Sequence, residues 1–249
     1  MIETPSEAAT CEHCGDTGWK LVKEGEREFV RRCSCAVTRR REALFERAGI
    51  PDRYRHCTFD GIEIWDPSDG SLRTAVRKVR EFVDLWPEVE RGFVLMGPVG
   101  TGKTHLAVAA LSELIRGKGV AGRFQDFTSL TLDIKMTFDT PGAQRDLVRP
   151  LIRADLLVLD ELGAGKVTPW VMDLLYYVVN SRYVQDRRTI FTTNFLDAKY
   201  LGGEKSLEES LETRVSARIR SRLFEMCEAL ILNGQDYRKH CAERRSGRW

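Results

Sequence analysis

GPVGTGKT, residues 97–104, matches G-x-x-x-x-G-K-[ST] at every fixed position. The apolar run GFVLM at 92–96 precedes it and reads as a buried strand. HLAVAALSELIR at 105–116 follows with apolar residues at helical spacing. A strand, a glycine-rich turn and a helix start form a cradle for phosphates. Glycine tolerates the backbone angles that turn N–H groups inward around Gly97, Gly100 and Gly102, and the helix N-terminus adds positive potential. Lys103 reaches the outer phosphates in such a cradle, and the Thr104 hydroxyl ligates Mg²⁺. A chance match in a loop would lack both flanks. The stretch from Gly97 through Pro98, Val99, Gly100, Thr101, Gly102 and Lys103 to Thr104 therefore reads as a nucleoside triphosphate site.

From about residue 71 the chain alternates helix and strand. Helices are predicted at 71–86, 103–116, 143–153 and 168–185, with strands at 92–96, near 121–127, at 155–160 and at 188–194. This alternation predicts an α/β fold, a parallel sheet wrapped by helices. Upstream, EFVRRC at 28–33 is strand-like and 41–49 reads as a helix. Pro51, Gly61, Pro67 and Gly70 punctuate an extended connection. We divide the chain into a cysteine module at 1–50, a linker at 51–70 and an ATPase domain at 71–249.

Composition restricts the function classes. Of 249 residues 42% are apolar and 31% charged, as in a soluble globular protein, and a cytoplasmic location is expected by default. No run approaches the roughly 18 apolar residues of a membrane span, and MIETPSEAAT lacks the features of a secretory signal. Net charge is only +2, from 39 basic and 37 acidic residues. Any polyanion site must therefore come from local clustering.

The segment LLVLDELG at 156–163 is an apolar strand ending in two acids. Strand C-terminal ends line the ligand crevice of a parallel sheet. There Asp160 is placed to hold Mg²⁺ opposite Thr104, and Glu161 to activate or orient the water that attacks the γ-phosphate. Two acids after a strand also occur in solvated turns; following a phosphate loop gives them meaning. TTN at 192–194 ends another strand, where Asn194 either positions that water or serves as a turn residue or helix cap. No N-K-x-D motif suits guanine, so ATP is the expected nucleotide.

RVSARIRSRL at 214–223 holds Arg214, Arg218, Arg220 and Arg222 with no acid between them. Arg214, Arg218 and Arg222 are expected on one helical face. That face is either solvated or supplies an arginine finger to a neighbouring subunit. The order of phosphate loop, acids and polar strand end resembles the AAA+ ATPases, whose helical lid is expected to be reduced or absent here, since only 27 residues follow Arg222.

Seven cysteines without a secretion signal argue against disulfides. Cys11, Cys14, Cys33 and Cys35 are spaced C-x-x-C then C-x-C, two knuckles suited to tetrahedral Zn²⁺. A redox C-x-x-C is the rival, but the βαβ context it needs is missing. So small a module has too little core to fold without a staple.

GPVGTGKTHLA, LLVLDELG, NSRY (180–183), TIFTTN (189–194) and SRLFEMCEALILNGQDYR (221–238) together resemble the DnaC/IstB-like AAA+ ATPases over roughly 50–249. An N-terminal zinc module ahead of this core is similar to the helicase-loader branch. The resemblance implies an AAA+ parallel sheet, with Asn194 as sensor 1 and Arg218 and Arg222 as the family's two arginines; Arg222 is taken as the finger. The family commonly has E-R-x-x-S-R-L where this chain has Ala217 at the acid. Implied partners are a hexameric replicative DNA helicase docked by the zinc module, single-stranded DNA, and further copies of the chain assembled with ATP. Single-strand contacts need basic and aromatic residues; Arg123, Phe124, Lys135 and Phe138 are of the right types. A transposition helper ATPase of the IstB type, binding DNA and a transposase, is the alternative.

Overall fold

The computed structural model describes residues 11–64, 66, 69–137, 140, 142–165, 168–200 and 210–245. Trp19–Glu24 (β1) and Arg27–Arg32 (β2) form an antiparallel hairpin, with Leu21 opposite Val30. Ser34–Arg47 (α1) and Gly70–Leu85 (α2) follow, joined by a stretch holding a 3₁₀ turn at Asp52–Tyr54. The main sheet is then built from Gly92–Met96 (β3), Gly122–Asp126 (β4), Leu156–Asp160 (β5), Arg188–Thr193 (β6) and Cys227–Ile231 (β7). Its order is β4-β5-β6-β3-β7, and every pairing is parallel. The intervening helices are Lys103–Glu113 (α3), Phe127–Met136 (α4), Ala143–Arg153 (α5), Pro169–Val184 (α6) and Leu211–Met226 (α7); Tyr237–Arg245 (α8) follows the last strand.

Buried parallel strands read as unbroken apolar runs because both faces are covered. In β3 and β5 every residue is buried. Side-chain alternation sends Phe93, Leu95, Leu156 and Val158 to a core shared with α1, α2 and α3. Val94, Met96, Leu157 and Leu159 face a second core formed with α4 to α7. The expected α/β sheet is therefore present, and β3 and α5 span the predicted residues. Residues 51–64, read as an extended connection, contribute buried Cys57 and Phe59 to the first core. Helix α1 also joins it, through Phe45. Among the described residues no helix is long and apolar enough to cross a membrane.

Arg182, on α6, is 1% exposed. Among the described residues no carboxylate pairs with it. Its Nε donates to Thr189 Oγ1 at 2.9 Å, Nη1 to the carbonyls of Leu151 at 2.7 Å and Ala154 at 2.8 Å, and Nη2 to Arg188 O at 2.5 Å. One guanidinium thus satisfies the open end of α5 and the start of β6, although burial lowers its pKa to about 9. Arg182→Met should leave several buried carbonyls unsatisfied and lower unfolding free energy in urea by about 3 kcal/mol or more. Arg182→Lys should recover little, since an ammonium lacks the planar fork. Stability of the Met variant within about 0.5 kcal/mol of wild type would contradict this reading.

Candidate functional site

The C-terminal ends of β3, β5 and β6 converge on one pocket. Gly97, Gly100 and Gly102 take φ of 143°, 78° and 91°, the positive range glycine occupies without strain. A Cβ on Gly97 would lie 2.0 Å from the Leu232 carbonyl oxygen, and one on Gly100 1.8 Å from Asp236 Oδ1. No larger residue fits at either position. Lys103 is buried, and its Nζ donates to the carbonyls of Gly97 at 2.8 Å and Pro98 at 2.5 Å. Burial lowers its pKa to about 8, against the opposing pull of Asp160 and Glu161. The lysine is folded back on its own loop, the nearest acceptors it has.

Asp160 ends β5 and is 3% exposed. Thr104 Oγ1 donates to its Oδ1 at 2.9 Å, and Thr192 Oγ1 donates to the same oxygen at 2.5 Å. Burial pushes the carboxyl pKa up; those two bonds offset part of the rise. Glu161 follows with φ of 55°, and its N–H donates to Thr192 Oγ1 at 3.0 Å. Hydroxyl and carboxylate oxygens side by side are the donor set a hard divalent cation takes.

The pocket is lined by Val99 to His105, Glu161, Thr192 and Asn194, with Gly97, Pro98 and Asp160 supporting it from outside the lining. Strand order explains Asn194: β6 lies between β5 and β3, so its tip stands between the acids and the loop. Two further walls lie outside the site residues expected from the sequence, although Arg238, in the second, is weighed there as a nucleotide contact. One is the segment Arg53–Ile64, tied to the loop helix where His105 Nε2 donates to Thr58 O at 2.8 Å. The other is the start of α8, where Tyr237 N–H donates to Gly100 O at 3.1 Å and the Tyr237 hydroxyl to Glu63 Oε2 at 2.7 Å. Arg238 lines the pocket from this side. Neither wall has a periodic signature. Thr192 did have one, since alternation in a strand puts it on the same side as Asn194.

The arginine face requires a correction. Ser216 has φ 73° and ψ 154°, which breaks α7, so Arg214 does not continue the face of Arg218 and Arg222. Arg214 lies over the Phe195 ring at 4.5 Å, and Arg220 pairs with buried Asp197. Arg222 stacks on Tyr183 at 4.1 Å and reaches Glu225 at 3.3 Å. Arg218 is exposed. None of the four is among the residues that line the pocket of their own chain.

The four N-terminal cysteines meet. Sγ atoms of Cys11 and Cys33 are 3.8 Å apart, those of Cys14 and Cys35 are 3.3 Å apart, and all four lie within 4.8 Å of one another. Tetrahedral Zn–S bonds imply sulfur separations of about 3.8 Å, so the cluster fits zinc. Cys33 caps α1 and Cys35 lies in its first turn, which is why the helix begins before residue 41. A bond from the Cys35 backbone N–H lowers the Cys33 thiol pKa to about 6. Arg39 Nη2 donates to Cys35 Sγ at 3.3 Å and works against the rise of that thiol to about 12, which comes from sharing the cluster with Cys14 and from burial.

Of the single-strand candidates, Phe124 is 3% exposed and belongs to the core, which removes it from any DNA surface. Arg123 donates to Arg47 O at 2.8 Å, Lys135 is exposed, and Phe138 lies outside the described residues.

Comparison with known proteins agrees with this geometry. A family model described as IstB-like ATP binding protein matches residues 38–245. The replicative helicase loader DnaC of Escherichia coli is 30% identical over 168 residues, which cover 65% of this chain and 66% of the loader. The phage-like element PBSX protein XkdC of Bacillus subtilis is 26% identical over 246 residues, covering 94% of this chain and 86% of that protein. A crystal structure of the DnaC helicase loader superimposes with a TM-score of 0.63 and 29% identity, over 74% of this chain and all of that one. The family model extends over the sheet, its helices and the pocket, and on that match the chain belongs to the IstB/DnaC-like family of AAA+ ATPases.

Proposed function

We propose that this chain is an ATP-dependent loader of a replicative DNA helicase. The observation that carries the reading is the junction of Thr104, Asp160 and Glu161 beside the glycine loop, in a chain that also bears a four-cysteine cluster. Lys103 leaves the Gly97 and Pro98 carbonyls to bind the outer phosphates of ATP. Thr104 and Asp160 would hold Mg²⁺, which neutralises phosphate charge when bound. Glu161 takes a proton from the attacking water or orients it, with Asn194 beside it as sensor 1.

Arg218 and Arg222 are not among the residues lining their own pocket, which supports a role at a neighbouring copy's γ-phosphate. Arg218 is exposed; Arg222, the finger expected from the family pattern, would first leave Glu225 and Tyr183. Such a finger makes hydrolysis depend on an ATP-bound homo-oligomer. Cys11, Cys14, Cys33 and Cys35 would hold a structural zinc that shapes residues 1–50 for docking on the hexameric helicase. The linker 51–70 and domain 71–249 bind ATP and single-stranded DNA, and hydrolysis releases the loaded helicase.

The pKa of Lys103 gives a pH test of the phosphate site. Without nucleotide it loses its proton at about 8, whereas bound triphosphate holds it charged. Binding therefore takes up a proton above that pH, and affinity for ATP should fall about tenfold between pH 7 and pH 9. Titration of a fluorescent ATP analogue at fixed ionic strength measures this. The step should vanish in Lys103→Arg, whose guanidinium stays charged; a flat wild-type profile would contradict the assignment.

Partnership is tested by affinity capture with ATP. Because α1 packs into the ATPase core, Cys11→Ser/Cys14→Ser in the full chain is a cleaner probe than truncation. Wild type should retain the hexameric helicase, and the double variant should lose it while still binding ATP. Recovery of a transposase without a helicase would overturn this reading in favour of a transposition helper; equal helicase capture by both proteins would remove the cysteine module from docking.

A further inference from the structure

Thr192 is 1% exposed, yet both functions of its hydroxyl are used at the candidate site. As a donor it bonds Asp160 Oδ1 at 2.5 Å; as an acceptor it takes the Glu161 backbone N–H at 3.0 Å. Its own carbonyl accepts the N–H of Leu162 at 2.8 Å. One residue on β6 thus grips three consecutive residues at the end of β5. Asp160 shares its Oδ1 with Thr104 as well, so without Thr192 its carboxylate would be oriented by the phosphate-loop side alone. Glu161 holds a positive φ that non-glycine residues seldom adopt, and such a backbone persists only where its surroundings over-determine it. The bond to Thr192 is the constraint at that N–H.

We infer that Thr192 is the positioning residue of the hydrolytic site: its single hydroxyl aims the Asp160 carboxylate at the metal position and pins the turn that presents Glu161 to the attacking water. The inference rests on the ATPase reading above. Valine matches threonine in shape but can neither donate nor accept, whereas serine does both. Partners that orient metal ligands commonly contribute about 10–100-fold to metal affinity or activity.

The test compares wild type with Thr192→Val, Thr192→Ala and Thr192→Ser in the full chain. ATP affinity is measured in EDTA and in Mg²⁺, together with steady-state hydrolysis and amide exchange at Glu161 in nucleotide-free protein. Val and Ala should keep the affinity in EDTA, which also reports an intact fold, but lose about tenfold of the gain brought by Mg²⁺ and about tenfold in kcat. Exchange at Glu161 should speed up in both. Ser should restore all three to near wild type. A full Mg²⁺ gain and kcat in Val and Ala, or Ser as impaired as Val, would overturn the inference alone. Wild-type binding that ignores Mg²⁺ would instead overturn the ATPase reading and this inference with it.

Discussion

A carboxylate taken out of water must be met by donors or lose its charge. Asp160 meets that constraint with two hydroxyls, one at the head of α3 and one on β6. Those bonds tie the glycine loop, β5 and β6 into one unit at the sheet's C-terminal edge. Most of the pocket geometry follows from the tie. It sets the distance between the loop and the acids, holds the strained backbone at Glu161, and puts Asn194 beside both. Lys103 supplies the complementary constraint. A buried ammonium without phosphates must find oxygen, and it finds the carbonyls of its own loop.

The remaining walls come from segments before β3 and after β7. Residues following β7 run so close to the loop that Leu232 and Asp236 leave room only for glycine at 97 and 100. The start of α8 then bonds back to Gly100, while Tyr237 and Arg244 reach Glu63. Among the described residues, a single nine-residue helix stands where a helical lid was expected to be reduced. The cysteine cluster is continuous with this body. Cys33 and Cys35 open α1, whose far end contributes Phe45 to the core against the sheet. In the proposed reading, partner docking and nucleotide state would therefore communicate through packed structure.

Much of this was legible in the sequence because the sheet is buried on both faces. GFVLM and LLVLD have no polar residue before their ends, and that pattern marks a covered parallel strand. The edge strand β7, CEALI, is only partly buried, has a charge in it and escaped notice. The sequence predicts helix α1 over 41–49 only; its start is set by the cysteine cluster, since Cys33 caps it and Cys35 lies in its first turn. The kink at Ser216 has no glycine or proline to announce it, so Arg214, Arg218 and Arg222, spaced four apart, looked like one face. Glycine loop, paired acids and Asn194 were identifiable from strand ends alone. The Arg53–Ile64 wall and the α8 contacts needed the third dimension, since no local spacing encodes which segments cross the pocket.

Whether this junction is built for hydrolysis is the central question, and Glu161→Gln addresses it most directly. The amide keeps the size of the side chain but cannot accept the proton of an attacking water. The variant should bind ATP as tightly as wild type, retain intact ATP through gel filtration, and hydrolyse it about 100-fold more slowly in the assembled state. Wild-type turnover by Glu161→Gln would contradict the account.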